Sequence, residues 1–334
     1  MAFGITYHHC SDELIAEIEQ LINDWKSNKN DFESFTSGST GQPKRIIHSR
    51  DQISSSAKRT NEYFNLTNES KVLLCLSPKT IGGKMVIIRA LVGDYAVACV
   101  TAQKNPFSVL PNTAHFDFSS LVPYQLSAIL SSNQIQLSRI KTILIGGAAL
   151  SQQLEKQCAE LHPRCFIGYG MTETVSHIAL RKLNEPYYTL LPGVRLNYKS
   201  NQTTITDSKL SIYVLKITDV LHVINDSEFE WMGRADFVIN SAGIKIHPEQ
   251  LEAIISTFIA TPFIISSVPD QFLGERCVLL SEVEISTELF EEIQAACEGK
   301  FGNYSKPTSI FIVKISMLSN GKIDRYSTQQ SLIH

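Results

Sequence analysis

A chain of 334 residues, 43% of them apolar and with a formal net charge of −3, exceeds the usual size of one domain and has apolar material for two cores. Its charge supplies no general attraction to nucleic acid or an anionic membrane, and no run reaches the roughly 18 uninterrupted apolar residues of a membrane span. The seven cysteines lie far apart without a CxxC pair, and the nine histidines show neither HExxH nor a zinc-type spacing. These are the marks of reduced core thiols, no protein-built transition-metal site and, with no basic-then-apolar leader, a cytoplasmic protein.

Along the chain, SDELIAEIEQLINDW opens on Ser11 as N-cap and sets Leu14, Ile15, Ile18, Leu21, Ile22 and Trp25 on one helical face, which predicts a packing helix. Residues 36–44, TSGSTGQPK, then place four hydroxyls and two glycines in six positions and end on Lys44. The flanks FESF and RIIHS read as short strands, so the polar run is expected at a hairpin tip. Gly38 and Gly41 let successive amides turn into one concavity, and Thr36, Ser37, Ser39 and Thr40 add hydroxyl donors, a nest suited to phosphate oxygens. The same composition also makes a plain solvated turn. It is no Walker loop, because Pro43 stands five after Gly38 and Arg45 follows Lys44; GYGMTE at 168–173 is no Rossmann fingerprint, because Glu173 stands where that motif needs glycine.

Apolar runs KVLLCL, YAVACV, KTILIG and RCFIG alternate with helix-like stretches at 54–64, 83–92, 121–130 and 150–161, the pattern of an α/β unit. Between 183 and 230 the short β-rich pieces predict a small sheet or barrel closing that unit. After Asp236, INSAGIKIHPEQLEAIISTF reads as strand, turn and a helix opened by Pro248; PFIISSV, ERCVLLSEV and SIFIVKI follow as strands, with a helix from 286 to about 300. The expected architecture is a large α/β domain over 1–235, with a small β-rich subdomain, and a small α+β domain over 236–334.

Four stretches in this order, TSGSTGQPK (36–44), GYGMTET (168–174), GRADFVINSAGIKIHPEQLE (233–252) and NGKIDR (320–325), resemble the adenylate-forming superfamily of acyl- and aryl-CoA ligases, peptide-synthetase adenylation domains and luciferases. The resemblance implies ATP, Mg²⁺ and the co-substrate CoA. It implies that Thr36, Ser37, Gly38, Ser39, Thr40, Gly41 and Lys44 embrace the β- and γ-phosphates. Tyr169, followed by Gly170 and Met171, would stack on adenine, with Gly146, Gly147 and Ala148 of IGGAAL against it. Thr172 would bond the α-phosphate region and Glu173 would bind Mg²⁺. Asp219 would accept the ribose hydroxyls and Arg234 would hold ribose or phosphate. Asp236 would be the hinge of a mobile C-terminal domain that delivers the catalytic Lys322 and, after swinging, brings the SAGIK turn at 241–245 to a pantetheine tunnel. Without the resemblance, Tyr169 reads as a core aromatic, Glu173 as a helix-start acid and Lys322 as a turn lysine.

Only about 35 residues precede the polar loop, so the family's N-terminal subdomain is expected to be mostly truncated. That shortness, with LCLSPKTIGGKMVIIRAL and GYGMTETVSHIALR, resembles the bacterial 2-succinylbenzoate-CoA ligase branch of menaquinone biosynthesis. The sequence departs from the family in three places. Lys79 and Thr80 replace an aromatic-His pair, Ile217 and Thr218 precede Asp219, and SML at 316–318 replaces Pro-Arg-Thr. An acid of that branch carries two carboxylates, so its pocket needs a cation or hydroxyl donors. Lys84, Arg89, Thr174 and Ser176 are the candidates, with His177 beside them, against a solvated helix face for Lys84 and Arg89. The implied activity is that of an AMP-forming acid–thiol ligase, acting on a small-molecule acid and CoA with no nucleic-acid partner. Another aryl or acyl acid, delivery to a carrier-protein thiol, and nucleotide binding without turnover stay open.

Overall fold

The computed structural model describes residues 3–35, 44–162, 164–199, 202–302, 305–318 and 323–332. β1 (Gly4–His8) precedes α1 (Asp12–Lys26), whose Ser11 cap accepts the Leu14 N–H at 3.3 Å. Leu14, Ile18 and Leu21 form its buried stripe. β2 (Asp31–Phe35) and β3 (Arg45–Ser49) pair antiparallel, Phe35 opposite Arg45, so the two flanks are strands as expected, while residues 36–43 between them lie outside the described residues. α2 (Arg50–Phe64) starts on a Ser49–Gln52 capping box. Then come β4 (Lys71–Leu74), α3 (Ile81–Gly93) capped by Thr80, β5 (Ala96–Val100), β6 (Phe116–Leu121), α4 (Pro123–Ser132), β7 (Ile140–Ile145), α5 (Gln152–Leu161) capped by Ser151, and β8 (Cys165–Gly170).

The direction of pairing changes after β8. β9 (His177–Lys182), β10 (Tyr188–Leu190), β11 (Val194–Lys199), β12 (Gln202–Asp207), β13 (Ile212–Lys216), β14 (Asp219–Val223) and β15 (Glu228–Arg234) follow. The main sheet has ten strands in the order β1-β5-β4-β6-β7-β8-β9-β10-β15-β14, parallel from β1 to β8 and antiparallel beyond. The expected small sheet or barrel at 183–230 is thus corrected in part. Only β11–β13 form a separate three-stranded sheet, while β10, β14 and β15 extend the main one.

Both faces of the parallel half are buried. Val72, Leu74, Val97 and Cys99 pack with α1, α2 and α3 residues such as Ile18, Ile53 and Met85. The alternate residues Leu73, Cys75, Ala98 and Val100 pack with Leu126 and Ile129 of α4 and Cys158 of α5. Two-sided burial explains why these strands read as unbroken apolar runs, each such side chain contributing about 1.5–3 kcal/mol. The chain beyond residue 236 supplies β16 (Ile239–Ser241), β17 (Ile244–Ile246), α6 (Pro248–Ile255), β18 (Phe263–Asp270), β19 (Gly274–Ser281), α7 (Thr287–Phe301), β20 (Ile310–Ile312) and α8 (Arg325–Gln330). Its five strands form their own sheet, with Leu251, Ile255, Ile293 and Cys297 of α6 and α7 on one face.

Candidate functional site

The parallel strands β7 and β8 end side by side, and at such carboxyl ends backbone groups and loop side chains open toward a ligand. Gly146 and the exposed Gly147 and Ala148 follow β7, the Gly146 N–H donating to the Leu121 carbonyl at 3.1 Å. Tyr169 and Gly170 end β8, and Met171 leads into a single 3₁₀ turn holding Thr172 and Glu173. Gly170 is required by space, because a Cβ there would overlap the Ser176 carbonyl where β9 crosses at a bulge. Val175 adopts φ +65°, a left-handed position that β-branched residues avoid, so the chain reverses sharply between Thr174 and Ser176.

That reversal separates two of the expected acid-binding residues. The Thr174 hydroxyl is fully buried inside the turn, between the Met171 N–H at 3.0 Å, the Met171 carbonyl at 3.0 Å and the Ser176 carbonyl at 2.8 Å. It therefore cannot donate to an acid, which corrects the expectation for Thr174. Ser176, half-buried, instead accepts from Nη2 of Arg89 at 2.9 Å and lies 3.3 Å from Nδ1 of His177. Arg89 is 1% exposed, so the solvated-face alternative for it is also corrected. It makes no ion pair with a carboxylate among the described residues, and its Nε is buried without a hydrogen-bond partner. Burial brings this guanidinium down to about 10. His177 is held well below its ordinary value by burial and then by Arg89 and Arg59. Arg59 is spent on Asp207 of β12 at 2.7 Å, a buried pair. Arg89 is thus a buried cation whose charge no side-chain carboxylate among the described residues answers.

On the other side of β8, the Tyr169 hydroxyl donates to Oδ2 of Asp219 at 2.9 Å, and Nε1 of Trp231 donates to Oδ1 at 3.2 Å. The Tyr169 ring packs edge-on against Tyr188 and Phe229. Burial, then the Asp219 charge, raises its hydroxyl well above the usual phenol range. Asp219 stands opposite Arg234 in the β14–β15 register. Arg234 in turn donates to Asp236 at 2.7 Å, and its backbone N–H donates to Glu249 of α6 at 3.2 Å. Tyr169, Asp219, Arg234 and Asp236 therefore form one connected run of contacts.

The residues Thr36, Ser37, Gly38, Ser39, Thr40 and Gly41 and the catalytic candidate Lys322 lie outside the described residues; Lys44 is described and exposed. The β2–β3 pair that flanks those residues is tied to α3. The Lys84 ammonium of α3 donates to the Glu33 carbonyl and, at 3.3 Å, to the Ser34 hydroxyl. Lys84 thus ties α3 to β2 through two of its three ammonium donors. His48 of β3 is buried and hydrogen-bonded to the Thr172 backbone; burial, then Lys84, lowers it to about 4. Glu173, half-buried beside that backbone, makes no hydrogen bond or ion pair with another described residue. His48, Arg59, Trp231 and Glu249 are contacts that the sequence reading missed. Each is ordinary in type and acquires its place through long-range pairing.

A family model described as AMP-binding enzyme matches residues 20–209. The 2-succinylbenzoate–CoA ligase of Escherichia coli (strain K12) is 27% identical over 318 residues, covering 89% of this chain and 68% of that protein. Among solved structures, an acyl-CoA synthetase (AMP-forming)/AMP-acid ligase II-like protein from Dyadobacter fermentans is 31% identical, with a TM-score of 0.64 and coverage of 96% of this chain and 95% of that one. The o-succinylbenzoate coenzyme A synthetase of Bacillus subtilis, solved in complex with ATP and magnesium ion, has a TM-score of 0.76 at 18% identity, covering 89% and 69%. The chain is shorter than the two succinylbenzoate enzymes and close in length to the Dyadobacter protein.

Proposed function

Because the chain belongs to the AMP-binding enzyme family, we propose that it is an AMP-forming acid–CoA ligase whose acid is an aromatic dicarboxylate of the 2-succinylbenzoate type. The observation that carries the choice of acid is Arg89, buried behind Ser176 with no carboxylate of its own. A substrate that brings a second carboxylate would answer that charge, and the buried cation would penalise an acid that lacks one. The names of the succinylbenzoate relatives support the same choice.

A free carboxylate has no usable leaving group. Its oxygen therefore attacks the α-phosphorus of ATP, pyrophosphate departs, and the CoA thiol, having lost its proton, then attacks the activated carbonyl and expels AMP. In this reading Asp219 accepts the ribose hydroxyls, with Tyr169 and Trp231 holding its carboxylate in place. Gly146, Gly147 and Ala148 flank the base, Thr172 approaches the α-phosphate, and residues 36–44 with Lys322 neutralise the leaving group. Glu173 fits a Mg²⁺ ligand, being a half-buried carboxylate unengaged by any described side chain. No cluster of three metal-ligating groups exists among the described residues, and Mg²⁺ needs only one or two carboxylates when substrate phosphates supply the rest. When bound, the ion would draw charge from the phosphate oxygens. Residues 236–334 act as a second domain that turns about Asp236 between the two steps. The test is CoA thioester formation from 2-succinylbenzoate against benzoate and medium-chain fatty acids. A preference for the dicarboxylate of less than about tenfold (~1.4 kcal/mol) would overturn the choice of acid, and ATP–pyrophosphate exchange unresponsive to every acid would overturn the activity.

A further inference from the structure

The strand that carries Trp231 and Arg234 is irregular where it passes Asp219. β10 accompanies β15 only as far as Phe229, so the later residues of β15 depend on β14 and on whatever else meets their backbone. The β14–β15 ladder itself slips there. Val220 stands opposite Gly233 and Leu221 opposite Trp231, which leaves Met232 as an extra residue on β15. A bulge of this kind re-aims side chains beside a site. The residue on its near side is Trp231, whose Nε1 donates to Oδ1 of Asp219 at 3.2 Å.

Two side chains of α6 hold the backbone on either side of that bulge. Gln250 donates through Nε2 to the Trp231 carbonyl at 3.0 Å, and Glu249 accepts the Arg234 N–H on Oε1 at 3.2 Å. The fit depends on Gly233. Its φ of +138° is closed to most side chains, and a Cβ there would overlap Oε2 of Glu249. Neighbouring residues on a helix of the 236–334 unit thus bond to the strand of the large domain that carries the partner of Asp219. We propose that Glu249 and Gln250 are positioning residues for nucleotide binding: by bracing the β15 bulge they hold Trp231 against Asp219, so that affinity for ATP depends on the docking of residues 236–334. The inference rests on the reading of Asp219 as acceptor of the ribose hydroxyls. Linkage makes the dependence mutual, and bound nucleotide strengthens the docking of α6 by the same factor.

Calorimetric titration of the full chain with the α,β-methylene analogue of ATP and Mg²⁺, without acid, tests this. Glu249→Ala and Gln250→Ala should each weaken binding about threefold and together about tenfold, the worth of one hydrogen bond apiece. Glu249→Gln keeps an oxygen for the Arg234 N–H and should bind within about twofold of wild type. In pyrophosphate exchange the KM for ATP should rise while that for the acid stays unchanged, a split that general loosening of the fold would not produce. In an Asp219→Ala background the two α6 substitutions should have no further effect, because the brace acts through that carboxylate. Wild-type affinity in the Glu249→Ala/Gln250→Ala double variant, an equal rise in KM for ATP and acid, or an undiminished effect in the Asp219→Ala background would each overturn the inference. Wild-type affinity in Asp219→Ala alone would remove the ribose assignment, and the inference with it. Both α6 residues are half-buried and alanine favours helix, so the variants should keep the wild-type unfolding midpoint. If the double variant unfolds early, Glu249→Ala and Glu249→Gln decide between them: equal weakening in both overturns the inference.

Discussion

Arg89→Met separates a residue that serves the substrate from one that serves the fold. The guanidinium is buried, with one charge-assisted hydrogen bond to Ser176 and no carboxylate partner. A base held at about 10 in the fold is disfavoured in its charged form relative to the unfolded chain. Near neutral pH it is charged in both states, so the whole penalty stands and is relieved only as pH rises through about 10. The displacement from its ordinary value corresponds to about 3 kcal/mol. Methionine fills much of the same volume and removes that penalty, while giving up a hydrogen bond to a charged group worth about 1.5–3 kcal/mol. The net effect on stability is therefore between zero and a gain of about 1.5 kcal/mol by that difference, read as an unchanged or raised denaturation midpoint in guanidinium chloride. The effect on turnover is opposite. A desolvated carboxylate–guanidinium contact is worth about 2–5 kcal/mol on truncation, so kcat/KM for CoA thioester formation from 2-succinylbenzoate should fall by between about 30-fold and several thousandfold, while benzoate changes by less than about threefold. Loss of more than about 2 kcal/mol of stability with equal decline for both acids would refute the reasoning and make Arg89 a structural residue.

Asp219→Ala strands two donors, the Tyr169 hydroxyl and Trp231 Nε1, and should cost about 1–3 kcal/mol of stability; Asp219→Asn keeps an acceptor and should lose less, yet both should raise the KM for ATP in pyrophosphate exchange. Gly170→Ala forces a Cβ onto the Ser176 carbonyl and should cost more than about 2 kcal/mol in thermal unfolding, as overpacking against backbone does; an unchanged midpoint would show that β9 can move aside. His48, buried and lowered to about 4, is neutral when folded while the unfolded chain titrates near 6.5. Its contribution is complete above pH 6.5 and is lost as pH falls from there to about 4, amounting to about 2–3 kcal/mol. Midpoints measured down that range should drop for the wild type, and less steeply for His48→Gln. Lys322→Ala should abolish acyl-adenylate formation and spare thioester formation from a supplied acyl-adenylate; equal loss of both half-reactions, followed by rapid quench, would remove that division of labour.

Local signals made most helices legible. Ser11 and Pro248 mark where their helices begin, through a cap for an unpaired backbone N–H and a proline that has none, whereas the stretch expected at 54–64 begins four residues inside α2, whose cap is Ser49. The parallel strands were legible because both faces are buried. β6 was not, because FDFSSL interrupts its apolar run with Asp117, Ser119 and Ser120, yet the Ser119 hydroxyl is satisfied by the Leu73 carbonyl at 3.1 Å across the sheet. β1 was missed for a different reason: as an edge strand against β5 alone it carries no two-sided pattern. At the site, motif order located the ends of β7 and β8. What it could not supply was orientation. Thr174 and Ser176 differ by two positions in sequence, and the left-handed Val175 between them turns one hydroxyl inward and leaves the other for Arg89.

The contacts around Arg234 argue for how two half-reactions could share one site. Its guanidinium is engaged by Asp236, and the buried Nε has no partner. Its backbone N–H is taken by Glu249, whose carboxylate reaches β15 because Gly233, at φ +138°, presents no Cβ to meet it. Burial raises the pKa of Glu249, and its Oε2 is likewise without a partner. Two orphaned groups of opposite character, the Arg234 donor two residues from the proposed hinge and the Glu249 acceptor bonded to the Arg234 N–H, meet at this junction. A buried polar atom left unpaired costs about 1–3 kcal/mol, so the arrangement seen here is not the one that satisfies every group at this junction. Rotation of residues 236–334 about Asp236 would exchange the Arg234–Asp236 contact for one between Arg234 and a nucleotide, and the energy recovered at the orphaned atoms is of the size needed to move a two-state equilibrium by one to two orders of magnitude. The junction is thereby left responsive to whatever occupies the ribose side of Asp219.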